Sequence, residues 1–137
     1  MLALQDVLRL EDDAVLRASA AMTGGIGGQR DACGGLLGAA LMFGEVYGRD
    51  RASMTDKAKL GDLMPRVGKL YKWYEQRFGS ATCLDIKTAF GGGVYYDSNV
   101  PWQQELAKEA GVPAKCSDLV VETVAYMVDQ LWDEVKK

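Results

Sequence analysis

The chain contains no histidine. This removes Ser–His and Cys–His nucleophilic pairs, histidine-ligated zinc and ordinary haem ligation by histidine. Cysteine is scarce too: Cys33, Cys83 and Cys116 are the three present, spaced too widely for any CxxC pair. No local zinc, iron–sulfur or haem-attachment motif therefore exists. An odd number of cysteines argues against a structural disulfide framework. Long apolar runs are missing as well. The longest nearly uncharged apolar stretch, residues 32–44, is too short to span a bilayer. Asp6, Glu11, Asp12 and Asp13 crowd the first residues, with no basic flank ahead of an apolar region, so no secretory signal is read there. A net charge of −3 with both signs mixed along the chain gives no footprint for nucleic acid or an anionic membrane. The expectation is a soluble, cytoplasmic protein without membrane insertion.

What is present suits a folded core. Of the 137 residues, 48% are apolar and 26% charged. A chain of this length can bury roughly 68% of its unfolded surface in one domain, here residues 1–137. No disulfide or metal is needed merely to make it fold. Leu4, Val7 and Leu8, then Val15 and Leu16, recur at helical spacing, with Glu11-Asp12-Asp13 as a break or a new first turn. Thr23-Gly24-Gly25-Ile26-Gly27-Gly28 demands a turn or close-packed loop. Asp31 is placed to cap a helix running to about Tyr47 or Gly48. Leu60, Leu63, Met64, Val67, Leu70, Tyr71, Tyr74 and Phe78 form the clearest amphipathic pattern. Pro65 within it predicts a kink or two helices meeting, and Gly79 supplies a stop. Short helices are expected from about Cys83 and from Pro101 to Gly111, and a last helix from about Ser117 to Val135. The fold class is all-α: a single-domain helical bundle with glycine-rich loops.

The three cysteines share a local setting. Cys33 follows the candidate cap Asp31 by two residues. Cys83 follows Thr82, which with Asp85 makes a Thr-x-x-Asp start. Cys116 precedes Ser117 at the expected entrance of the last helix. Unpaired amides and the positive end of the helix dipole favour an anion there, which lowers a thiol's pKa toward the reactive thiolate. Arg30 and Lys115 add to this, whereas Asp31, Asp85 and Asp118 oppose it. The bland alternative is that these are packing residues, since free cysteine is commonly buried.

Other features carry less chemistry. Gly25, Gly27 and Gly28 could cradle a phosphate on their amides, but the segment is not GxGxxG and follows a helix instead of a strand. Gly34, Gly35, Gly38, Ala39 and Ala40 permit a close backbone approach, at an internal crossing or a dimer seam. Trp73, Trp102, Trp132 and the tyrosines read as core and rim.

Taken together, Thr23-Gly24-Gly25-Ile26-Gly27-Gly28, Cys33-Gly34-Gly35-Leu36-Leu37-Gly38, Phe78-Gly79-Ser80-Ala81-Thr82-Cys83 and Lys115-Cys116-Ser117-Asp118-Leu119-Val120 resemble the redox-active C_GCAxxG_C_C family over nearly the whole chain. In that family a glycine-rich segment precedes Cys-Gly-Ala-x-x-Gly. An aromatic-rich helix ends in Phe-Gly-Ser before a further cysteine, and the last cysteine opens the C-terminal helix. Two departures stand out. Gly35 occupies the usual alanine position. The family also carries a fourth cysteine in an N-terminal helix, and Leu2-Ala3-Leu4-Gln5-Asp6 resembles the stretch just after it, so either the chain starts late or this member lacks that residue.

The resemblance implies redox or metal chemistry at converging cysteines. Cys33, Cys83 and Cys116 are expected to bind an iron–sulfur cluster or zinc, the preferred alternative, or to undergo thiol–disulfide exchange with an unidentified redox partner. A related module occurs in split-Soret cytochromes, but without CxxCH a haem is not expected. The competing expectation is a non-enzymatic interaction or scaffold domain, with structural cysteines and a homodimer interface on the small-residue helix. A third is a small-molecule carrier using the Gly24–Gly28 loop with Tyr95 and Tyr96.

Overall fold

Helix boundaries follow from the capping residues. Asp12 accepts hydrogen bonds from the amides of Ala14 and Val15 at 2.8 and 3.0 Å, so the acidic run is a new helix start. Asp56 does the same for Ala58 and Lys59, and Thr82 for Asp85. Arg9 and Gly79, both left-handed, close the helices before them. In a computed structural model describing residues 1–136, the result is α1 (Leu2–Leu8), α2 (Asp13–Ser19), a 3-10 turn (Ala20–Met22), α3 (Gly34–Tyr47), α4 (Lys57–Phe78), α5 (Cys83–Phe90), α6 (Pro101–Glu109) and α7 (Val112–Val135). No strand occurs among the described residues, and the all-α bundle expected from the sequence is the fold found.

The core lies where α3, α4 and α7 meet, with α1 laid across α7. Helix α3 contributes Leu36, Ala39, Met42 and Phe43; α4 contributes Leu70 and Tyr74. Helix α7 buries Leu119, Thr123, Met127 and Leu131, each one turn from the next. Thr123 is tolerated there because its hydroxyl donates to the Leu119 carbonyl at 2.8 Å. Gln5 is buried as well, and its amide donates to the Asp12 carbonyl at 2.9 Å, tying α1 to the start of α2.

Several boundaries differ from the sequence expectation. Helix α3 begins at Gly34 with Cys33 as its cap, not at Asp31, because residues 30–33 pair with the segment before α5. Helix α7 begins at Val112, with Pro113 in its first turn, so Cys116 lies inside the helix instead of at its entrance. One helix runs through Pro65. Its ring faces the carbonyl of Gly61 and leaves that carbonyl without its usual donor, a defect on the exposed side of the helix. The inward stripe of α4 is also narrower than the apolar pattern, since Met64 and Tyr71 are exposed.

The small residues of α3 serve internal crossings. A Cβ on Gly34 would lie 3.1 Å from the Met22 carbonyl, and one on Gly38 would lie 3.3 Å from the Met1 nitrogen.

Leu70 is fully buried at this centre. Leu70→Ala is expected to lower the unfolding free energy by about 2–5 kcal/mol, read from urea denaturation.

Candidate functional site

Residues 30–33 and 81–84 run antiparallel for a few residues, with Ala32 opposite Thr82. The Cys33 amide donates to the Ala81 carbonyl at 2.8 Å, and the Cys83 amide donates to the Asp31 carbonyl at 2.7 Å. Side chains alternate along extended backbone, so the residues flanking the Ala32–Thr82 pair share its opposite face. Cys33 and Cys83 are therefore placed diagonally on one face, at a Cα separation of roughly 7–8 Å for such a pair. Immediately afterwards Cys33 caps α3 and Cys83 opens α5.

The glycine-rich segment shapes this clasp. Gly24, Gly25, Ile26, Gly27 and Gly28 all have positive φ, between 60° and 80°. The resulting left-handed turn accepts the Arg30 and Asp31 amides on the carbonyls of Gly24 and Gly25 at 3.0 and 3.2 Å. A Cβ on Gly25 would sit 2.7 Å from the Asp31 backbone, so only glycine lets the turn close on the clasp.

Cys116 approaches from α7 and completes the group. All three cysteines line one cavity of about 740 Å³, whose walls include Leu16, Met22, Ile86, Leu119 and Val120. They are free thiols. Of the glycine segment only Thr23 and Gly24 reach this cavity. Gly25, Gly27 and Gly28 do not line it, and the amides of Gly27 and Gly28 donate to the carbonyls of Ala21 and Thr23. Tyr95 lies under the Arg30 guanidinium at 5.0 Å, and Arg30 also pairs with Asp97 at 3.1 Å. Tyr96 lines a neighbouring cavity of about 410 Å³.

Two residues at the site were not singled out from the sequence for its chemistry. Tyr74, fully buried, donates its phenol proton to the Cys33 sulfur at 3.1 Å. Burial, reinforced by the nearby Cys33, pushes the phenol pKa far above its ordinary range, so it remains a donor at all physiological pH. In the sequence it belonged to the core pattern, which conceals its polar end. Lys87 lines the cavity one turn after Cys83 on α5, and that four-residue spacing was a legible signal. Gly35 makes room for the phenol: a Cβ there would meet the Tyr74 oxygen at 2.7 Å and a Leu119 methyl at 3.0 Å.

Electrostatics correct the expectation that helix starts depress the thiols. Burial pushes Cys83 and Cys116 upward; the Lys87 ammonium opposes this, and the neighbouring cysteines add to it. Desolvation of a thiolate outweighs the attraction of one ammonium. Both thiols are protonated at neutral pH. Being raised in the folded state, they favour folding below the ordinary thiol pKa, and that contribution is lost as pH rises through their folded values. Among the described residues, no three of His, Cys, Asp and Glu are disposed to hold a metal ion together. The donor type suits zinc or an iron–sulfur cluster, but the arrangement is not a ready cage.

The Tyr74 phenol is the donor that orients the Cys33 sulfur in the cavity. Tyr74→Phe is therefore expected to slow iodoacetamide alkylation of Cys33 about tenfold at neutral pH, measured site by site by mass spectrometry, and Gly35→Ala is expected to act in the same direction. In the same measurement, alkylation of Cys83 and Cys116 should stay slow at neutral pH and accelerate above the ordinary thiol range.

Neither a curated protein nor a solved structure matches the chain. A family model described as "Putative redox-active protein (C_GCAxxG_C_C)" matches residues 1–130. With Cys33, Cys83 and Cys116 in the family's order and gathered on one cavity, the chain belongs to the C_GCAxxG_C_C family.

Proposed function

We propose that the protein is a thiol–disulfide redox protein whose site is the cavity shared by Cys33, Cys83 and Cys116. The observation that carries this reading is the convergence of three free thiols, from three helices, on one cavity. Cys33 is the attacking thiol. It caps α3, where first-turn amides lack helical partners, and it receives the Tyr74 hydrogen bond. Its thiolate attacks one sulfur of a substrate disulfide and expels the other half as a thiolate. A second protein thiol, Cys83 or Cys116, then attacks the Cys33 sulfur of the mixed disulfide and releases the remaining half. The protein dithiol loses two electrons and two protons, and the substrate disulfide gains them as two thiols. Protonated Cys83 and Cys116 suit the resolving role, because they stay quiet until the mixed disulfide forms beside them. A diagonal pair of ideal spacing is slightly wider than a disulfide tolerates, so joining Cys33 to Cys83 would draw the clasp in.

A second reading has the same three thiols, as thiolates, holding zinc or an iron–sulfur cluster, with one position left open. It is supported by the same convergence and requires the sulfurs to draw together on binding. Such a group would supply Lewis acidity or one-electron transfer. The chain's own part would be three thiolate donors and a cavity wall that limits water.

Exposure of the reduced protein to 2-hydroxyethyl disulfide is expected to consume two thiols per chain, release two equivalents of 2-mercaptoethanol and leave one thiol titratable. Cys33→Ser is expected to abolish the release. A stoichiometric metal in anaerobically purified protein, lost in Cys33→Ser, would replace the first reading by the second; three unreactive thiols without metal would sink both.

A further inference from the structure

The thiol cavity adjoins a smaller one beside it. Both are lined by Lys87, Ser98 and Cys116. Cys116 thus stands at the junction, and Lys87 stands with it. The other lysines nearby are engaged: Lys108 pairs with Glu105 at 2.7 Å, and Lys115 donates to the Phe90 carbonyl at 2.7 Å. The Arg30 guanidinium is held by Asp97. Lys87 has neither a carboxylate nor a carbonyl partner among the described residues, although it is half-buried. A half-buried ammonium without a counter-charge, at the meeting point of two largely apolar cavities, is a receptor for an anion.

We infer that the site takes a disulfide carrying an anionic group, such as a carboxylate, with that group on the Lys87 ammonium and the apolar body along Ile86, Leu119 and Val120. The inference rests on the thiol–disulfide reading and names its substrate class. The fold explains the geometry. Cys83 and Lys87 are one turn apart on α5, so both project from the same face of that helix. The ammonium therefore stands on the thiol cavity, and the second cavity, which Lys87 also lines, leaves space for the anionic end of the ligand. Charge on the substrate would compensate Lys87 on binding. The reaction itself stays as written above: protein thiolate displaces one half of the disulfide as a thiolate, and a second protein thiol displaces the other.

The test compares two disulfide probes, 5,5′-dithiobis(2-nitrobenzoate), which carries two carboxylates, and 4,4′-dithiodipyridine, which is uncharged at neutral pH. Chromophore release is followed with wild type, Lys87→Gln and Lys87→Arg, after thermal melts establish that all three are folded. Any effect of Lys87 on the thiols themselves slows both probes equally, so the ratio of the two rate constants isolates recognition of substrate charge. Lys87→Gln is expected to lower the ratio of anionic to neutral rate about fivefold; Lys87→Arg is expected to retain it, and added salt should reduce it in wild type. A ratio unchanged by Lys87→Gln would overturn the inference and leave the thiol–disulfide reading standing. If neither probe reacts with any thiol of the folded protein, both fall together.

Discussion

The two hydrogen bonds between residues 31–33 and 81–83 are the constraint on which the rest of the site depends. They join the start of α3 to the start of α5 across 50 residues of chain, with all of α4 in between. Period-two alternation at the clasp then puts Cys33 and Cys83 on one face. A glycine-rich left-handed turn closes on its outer side, and the Ser80 hydroxyl braces its inner side by accepting from the Thr82 amide at 3.1 Å. The large helices supply the remaining wall and the third thiol. A bundle alone would not bring these cysteines together, because helix starts belong at the ends of a bundle and their separation is set by loops.

Burial sets the chemistry once the clasp has set the geometry. The helix-start positions of Cys33 and Cys83 favour anions, yet desolvation dominates at Cys83 and at Cys116. Three thiolates crowded together would repel one another in a medium less polarisable than water, so at most one is easily carried. The phenol of Tyr74 bonds to Cys33 alone and sets that thiol apart from the other two. The three thiols are thereby made inequivalent: Cys33 carries a hydrogen-bond donor, while burial holds Cys83 and Cys116 protonated.

The all-α architecture was legible because α4 and α7 repeat apolar residues every third or fourth position over many turns, and Asp12, Thr82 and Pro101 mark the starts of α2, α5 and α6, and Gly79 the end of α4, by their own chemistry. The clasp was not legible. Asp31 has the composition of a cap, but its backbone is held by pairing with residues some 50 positions away, a long-range contact that no local pattern encodes. The same pairing delayed the start of α3. Cys116 was misplaced at the other end because Pro113 reads as a terminator after Gly111 and equally as a first-turn residue of the next helix. For the site, the three cysteines were visible as a set through their spacing and the family motif, whereas Tyr74 was hidden by a side chain that is apolar along most of its length and polar at its tip.

Gly35 gains a meaning from the structure that it lacked as a letter in a motif. Where the family usually carries alanine, this chain carries glycine, and in the sequence that is a trivial change toward tighter packing. In the fold, the missing methyl is the space that the Tyr74 oxygen occupies to reach the Cys33 sulfur. An alanine at this position would have to displace the phenol or Leu119, both buried in the same core, and the phenol oxygen is the nearer of the two. A phenol pushed aside in this way would leave Cys33 without its donor. Glycine at 35 and tyrosine at 74 are thus one device.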